Sequence, residues 1–222
     1  MMVSRERYLA IKERIIRQEY GSGQVFTPDS FSSAFGIEEA DAADILYRLA
    51  SENFLSHTGR NEFTVNEIRV DEINETFEVR KALESLAAKL AILHMTDEHA
   101  EELTTLLDEC QGITDEFTYA ECDDAIHRKV RNIAGNRSLS EYLLGIEEKE
   151  HCWWFYLNKH NYIEDPVRLA LNDHSLEYLI RSLINQDMIN GPIAINEHLD
   201  YWYHVYNNSL PQEDNKREKG SR

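Results

Sequence analysis

From residue 70 onward the chain has helical periodicity and almost no strand signal. Apolar residues recur at positions i, i+3 and i+4, as Val79, Leu83 and Leu86 illustrate, so each segment presents one apolar face. Six such segments are separated by short links, at residues 71–95, 97–112, 115–134, 138–159, 166–186 and 190–207. Amphipathic helices joined in this way bury their apolar faces against one another. The pattern therefore predicts an antiparallel bundle of about six helices over residues 70–209.

The first 69 residues contain shorter elements of both kinds. Tyr8, Ile11 and Ile15 have helical spacing, and Thr27-Pro28 is typical of a helix start, with a capping hydroxyl followed by proline. A third helix is predicted at about 38–52, and a hairpin around the turn at 58–61. Three helices followed by a hairpin are typical of a winged helix-turn-helix domain. The predicted fold class is mainly α, with this domain at 1–69, the helical bundle at 70–209 and a disordered tail at 210–222.

Composition limits the class of protein. Apolar residues make up 42% of the 222 residues, enough for a packed core, and no apolar run approaches the roughly 20 residues that cross a bilayer. The N-terminus has no signal-peptide core, so a cytoplasmic protein without a membrane partner is predicted. Cys110, Cys122 and Cys152 are odd in number and form no CxxC pair, which argues against a disulfide framework.

Asp123 and His127 are the pair with the clearest chemistry. They stand four residues apart within a predicted helix, so both side chains point to one face. A carboxylate and an imidazole in that arrangement can begin a metal site or bind a small polar ligand. The sequence contains no HExxH, GxSxG, P-loop or GxGxxG motif, so we predict that the protein is not an enzyme.

Several stretches together resemble one family of regulators. In the N-terminal domain they are the residues at 31–37, 45–49 and 54–55, and in the bundle they are 77–84 (FEVRKALE), the Asp123-x-x-x-His127 motif and 133–139 (IAGNRSL). The chain resembles the GntR superfamily of transcriptional regulators, FadR subfamily, whose C-terminal domain is of the FCD type. The resemblance extends over nearly the whole chain and implies a homodimer that binds operator DNA and senses a small effector, often an organic acid.

The resemblance also implies a divalent metal, Zn²⁺, Ni²⁺ or Mn²⁺, held by one Asp and three His residues. Asp123, His127 and His198 match three of these ligands. The remaining histidine has two alternatives: His174 matches if two residues are inserted in the following link, whereas strict register places Leu176 there. Arg80 is expected to bind the effector carboxylate or, alternatively, to pair with Glu84 one turn away; Asn136 is predicted to bind ligand or to cap the next helix.

The predicted DNA-reading helix departs from the family pattern. The resemblance places the family's arginine before the second helix at Val25, its Ser-Arg pair at Glu38-Glu39 and another arginine at Ala43. Between residues 21 and 55 there are six acidic residues and one basic residue, Arg48. Acids at a helix N-terminus complement its dipole, but they repel phosphate where arginine would bind it. Arg5, Arg48 and Arg60 remain as weak DNA-binding candidates, and the alternative is a regulator that acts through protein contacts.

Overall fold

Helices make up most of the described chain, as the periodicity predicts. The structure, a computed structural model, describes residues 4–160 and 167–209 and contains nine helices and three strands in those ranges. They are α1 Arg5–Ile16, β1 Val25–Phe26, α2 Pro28–Phe35, α3 Glu39–Ser51, β2 Leu55–Gly59, β3 Glu62–Val65, α4 Val70–Leu93, α5 Asp97–Cys110, α6 Glu116–Ala134, α7 Arg137–Lys159, α8 Val167–Ile184 and α9 Asn190–Ser209. The predicted disordered tail, 210–222, lies outside the described residues.

The chain separates into two units, and the first contains residues 4–69 and 147–160. Its strands form an antiparallel sheet in the order β1-β3-β2, which gives the helical and hairpin arrangement predicted for the N-terminal domain. Thr27 and Ser30 form a capping box at the start of α2, and Gly36 ends that helix in the left-handed conformation. The two-residue strand β1 was not predicted, because two residues are too few for an alternating pattern.

The C-terminal part of α7, residues 147–160, belongs to this first unit. Lys12 is almost fully buried, and its Nζ lies 2.6 Å from Glu52 Oε2 and 2.5 Å from Glu148 Oε2. Phe155 packs against the apolar core of the N-terminal elements, and the guanidinium of Arg17 lies over its ring. These contacts tie residues 147–160 to α1 by both charge and apolar packing.

The second unit contains α4, α5, α6, α8 and α9 with the first part of α7. Helix α9 packs against α4 and α8, and α6 packs against α4 and α5. The start of α9 lies so close to α4 that a Cβ at Gly191 would be 2.6 Å from Ile92 Cδ1. This packing brings α4, α6, α8 and α9 around one core, where the side chains described below meet.

None of the described helices combines the length and the apolar character that a membrane-spanning segment requires.

Candidate functional site

Helix α6 presents Asp123 and His127 to the interior of the second unit. The carboxylate of Asp115 accepts hydrogen bonds from the first turn of the helix, and Gly135 ends it with a positive φ of 65°. Asp123 is 4% exposed and His127 1% exposed, so the i, i+4 pair predicted from the sequence lies side by side in the core.

His198 of α9 completes a cluster with this pair. Its Nε2 lies 3.0 Å from Asp123 Oδ1, and the Nε2 of His127 lies 3.9 Å from Asp123 Oδ2. The indole Nε1 of Trp202, one turn further along α9, donates a hydrogen bond of 2.9 Å to Asp123 Oδ2. One ligand atom from each of Asp123, His127 and His198 lies within 4.8 Å of the other two. This is the separation expected of ligands around one metal ion.

The other ring nitrogen of each histidine faces a separate polar group. His127 Nδ1 lies 3.2 Å from Glu84 Oε1 on α4, and His198 Nδ1 lies 3.1 Å from the hydroxyl of Ser175 on α8. Both Nε2 atoms consequently point toward Asp123. Metal-binding histidines commonly have this arrangement, in which a carboxylate or other polar group orients the ring through the nitrogen that does not bind metal.

Several buried atoms of the cluster lie close to one another but make no hydrogen bond of good geometry within the described residues. They are Asp123 Oδ1, His198 Nε2, both ring nitrogens of His127 and both carboxylate oxygens of Glu84. Burying a polar atom without a partner is unfavourable by about 1–3 kcal/mol, and by more for a charged group. A divalent cation bound by Asp123, His127 and His198 would satisfy three of these atoms at once, so the donor set fits a metal.

Burial and neighbouring charges act against each other on the ionisation of this cluster. Burial disfavours the charged form of Asp123, but His198 and His127 outweigh it and lower the pKa of Asp123 to about 2. Burial likewise opposes the charge on His127, yet Glu84 and Asp123 raise the pKa of this imidazole above its ordinary value. For Glu84, burial is outweighed by His127 and by Arg80, so the pKa of the carboxyl is lowered. A proton on His127 therefore competes with a metal ion.

Arg80 lies beside the cluster and is 6% exposed. Its Nε is 3.8 Å from Glu84 Oε1, so the ion pair that the sequence offered as an alternative is present. Asn136, the second predicted ligand-binding residue, accepts a hydrogen bond from the backbone N–H of Leu139 and caps α7. The structure thus places Arg80 at the cluster and gives Asn136 a capping contact.

The fourth predicted metal ligand, His174, does not join the cluster. It is exposed on α8, whereas Leu176 is fully buried in the apolar core. Two residues along a helix rotate a side chain by about 200°, so the register that turns Leu176 inward turns His174 outward. The structure therefore follows the strict register, and the cluster consists of one carboxylate and two imidazoles among the described residues.

Sequence reasoning missed the groups that orient the cluster. The sequence offers Glu84 as a partner for Arg80 but not for His127, and it does not point to Ser175 or Trp202. Glu84 lies one helical turn after Arg80, which indicates a shared face, but its distance to α6 depends on how the helices pack. Nothing in the local sequence links Ser175 or Trp202 to Asp123.

The prediction that the cysteines form no disulfide is wrong. Cys110, the last residue of α5, is bonded to Cys122 of α6, and their Cα atoms are 5.7 Å apart. A spacing of twelve residues matches no cysteine motif, and the pairing of Cys110 with Cys122 becomes evident only when the two helices are packed together. Cys152 is not part of a disulfide, and its Sγ lies 2.9 Å from Gln18 Nε2.

The predicted DNA-reading surface is acidic in the structure as well. Glu38 is the N-cap of α3 without a side-chain capping bond, and Glu39 and Asp44 are exposed on that helix. Arg48 is engaged within its own unit: its Nε is 3.1 Å from Glu52 Oε1, and its guanidinium lies 3.6 Å from the centroid of the Tyr8 ring.

The other two arginines that the sequence offered for DNA, Arg5 and Arg60, are both exposed. Of the basic side chains on α1, Arg14 pairs with Glu19 and Arg17 with Glu13.

Comparison with known proteins identifies the class. The model of the FCD domain family matches residues 75–200, which is more than half of the chain. The uncharacterized HTH-type transcriptional regulator YdhC of Bacillus subtilis is 24% identical over 182 residues, covering 78% of this chain and 74% of YdhC. The chain belongs to the FCD-domain family and is a transcriptional regulator of the GntR superfamily, FadR type.

Solved structures agree with this fold. McbR/YncC of E. coli superposes with a TM-score of 0.75 at 19% identity, covering 93% of this chain and 99% of McbR. A GntR family transcriptional regulator from Pseudomonas syringae gives a TM-score of 0.57 at 15% identity, covering 96% and 90% of the two chains. At these identities the likeness establishes the fold.

Proposed function

We propose that this regulator senses a small organic acid at a metal centre formed by Asp123, His127 and His198. The observation that carries the proposal is the convergence of both Nε2 atoms on Asp123, with Glu84 and Ser175 at the opposite ring nitrogens. Zn²⁺, Ni²⁺ and Mn²⁺ all accept imidazole and carboxylate ligands. Bound there, the metal would supply a positive charge with open positions for the oxygens of the effector.

The chain's own residues define what such an effector meets. Arg80 places a buried guanidinium next to Glu84, and Arg131 adds a second buried cation whose charge also reaches Glu84. Cations in a water-poor interior attract a carboxylate more strongly than they do at the surface. This charge pattern supports an anionic effector, and a homodimer is the assembly that we propose for the regulator.

A thermal melt with added metal tests the metal centre. After treatment with a chelator and its removal, added Zn²⁺ is expected to raise the melting temperature of the wild-type protein, because a ligand that binds the native state stabilises it. At a hundred times the dissociation constant the gain is about 2.7 kcal/mol. Asp123→Ala should abolish the rise. His174→Ala, which removes an exposed histidine outside the cluster, is the matched control and should retain it. An unchanged wild-type melting temperature would count against the proposal.

A second candidate function concerns the first unit: the regulator does not bind operator DNA in the usual family manner and acts through protein contacts. The observation that favours it is the exposed acidic surface of α3, formed by Glu38, Glu39 and Asp44. Carboxylates at the N-terminus of a recognition helix face the phosphates and base edges where cations are needed.

A gel-shift assay at low salt, with DNA from upstream of the protein's own gene, separates these functions. Under the second candidate, sequence-specific binding is absent at nanomolar protein, and any weak binding disappears as salt is raised. A matched variant, Glu38→Ser with Glu39→Arg, should strengthen binding to DNA in general. Sequence-specific binding by the wild-type protein at nanomolar concentration would overturn the second candidate function and support a regulator that binds DNA.

A further inference from the structure

The disulfide lies directly beside the candidate metal centre along the chain. Cys122 immediately precedes Asp123 on α6, and its partner Cys110 is the last residue of α5. The bond therefore fixes α6 to its neighbour at the helical turn from which a cluster residue projects. Neither the family resemblance nor the proposed sensing role assigns any part to these cysteines.

The two cysteine residues differ in their exposure to solvent. Cys110 is 1% exposed, whereas Cys122 is partly exposed, so a small thiol can approach the bond from the Cys122 side. The segment between the two helices, 111–115, is short, and α6 begins at its N-cap Asp115. The first two turns of α6 thus lie between this link and the disulfide, and the fully buried side chain of Tyr119 also anchors them.

Noncovalent packing also connects α5 and α6, which makes a reduced folded form reasonable. Leu103 and Leu107 of α5 share an apolar core with Ile126 and Val130 of α6. These contacts lie along the C-terminal part of α6, beyond Asp123. Loss of the disulfide would therefore loosen the N-terminal turns of α6 more than its C-terminal turns.

We propose that the Cys110–Cys122 bond is a redox switch that sets the metal affinity of the Asp123, His127 and His198 cluster. This inference rests on the proposed metal-binding function. In the oxidised form the bond holds the Asp123 carboxylate in position for the metal, so little order has to be gained on binding. In the reduced form that order is gained only on binding, and the metal is held less tightly.

The chemistry uses a low-molecular-weight thiol and its disulfide. The thiolate attacks Sγ of Cys122, the Cys110–Cys122 bond breaks, and Cys110 leaves as a thiolate that takes up a proton. A second thiol attacks the mixed disulfide at the small molecule's sulfur and releases Cys122. In total, two small thiols are oxidised to one disulfide while one protein disulfide is reduced to two thiols. The reverse exchange restores the bond.

Zn²⁺ titration of the two redox forms tests the switch. Oxidised protein is compared with the Cys110→Ala/Cys122→Ala variant, which lacks thiols that could themselves bind zinc, and with Cys152→Ala as the matched control. Competition with a chromophoric chelator should give zinc binding on the order of tenfold weaker in the double variant and unchanged in the control. Hydrogen exchange without metal should be faster at residues 113–122 in the double variant and in the thiol-reduced wild type.

Two outcomes separate the switch from the function on which it rests. If oxidised Asp123→Ala loses zinc binding but the double variant binds zinc as tightly as wild type, the switch is overturned and the metal centre stands. If oxidised Asp123→Ala binds zinc as tightly as wild type, both are overturned. Faster exchange at 113–122 together with weaker zinc binding in the double variant is the supporting result.

Discussion

Glu84→Ala is expected to lower the free energy of unfolding of the second unit by about 3–5 kcal/mol. Glu84 is fully buried between Arg80 and His127, with Oε1 3.8 Å from Arg80 Nε and 3.2 Å from His127 Nδ1. Its removal takes a buried negative charge away from the guanidinium of Arg80 and the imidazole of His127. Urea unfolding followed by far-UV circular dichroism measures the loss.

Two variants bracket this expectation. Glu84→Gln keeps the shape and removes the charge, so its effect should be smaller than that of alanine. Glu141→Ala breaks an exposed ion pair with Arg137 on α7 and should change stability by less than about 1 kcal/mol. Equal, small effects of Glu84→Ala and Glu141→Ala would show that Glu84 does not balance the buried charges.

Zinc affinity is expected to fall about tenfold for each pH unit below the raised pKa of His127. The imidazole must be neutral to bind metal, and Glu84 stabilises its protonated form. The folding stability of the metal-free protein has the opposite pH dependence. The charged form of His127 stabilises the metal-free fold fully below the ordinary pKa of about 6.5, and this contribution is lost as pH rises through the raised pKa of His127. Chelator competition at pH 6, 7 and 8 measures the zinc affinity.

Glu84→Gln supplies the control for this pH dependence. Without the carboxylate the pKa of His127 should fall, so the steep region moves to lower pH and the affinity changes less between pH 7 and 8. His174→Ala should leave the wild-type dependence unchanged, because His174 is exposed outside the cluster. The same zinc dissociation constant at pH 6 and pH 8 would contradict the role given to His127.

Helix positions and the Asp123–His127 pair followed from the sequence, since both depend on local periodicity. The six helical segments predicted after residue 70 are α4 to α9, because an amphipathic pattern and short links leave few alternatives. Asp123 and His127 share a face for the same reason. A family pattern added His198, which lies on a different helix and could not have been connected to them by spacing.

What the sequence could not provide is set by packing between helices. Two residues of register on α8 turn a side chain by about 200°, and that rotation decides whether position 174 or position 176 faces the core. Glu84 and Trp202 reach the cluster from α4 and α9, at distances that no local pattern determines. The Cys110–Cys122 bond likewise depends on how α5 lies against α6.

The position of a bound zinc ion is the decisive test of the metal centre formed by Asp123, His127 and His198. Crystals of the zinc-loaded protein, measured on both sides of the zinc absorption edge, would show the ion as an anomalous difference peak. We expect one peak in the second unit, about 2.0–2.1 Å from Nε2 of both His127 and His198 and bound by the Asp123 carboxylate. A peak at other residues, or no peak near Asp123 in crystals that contain stoichiometric zinc, would contradict it.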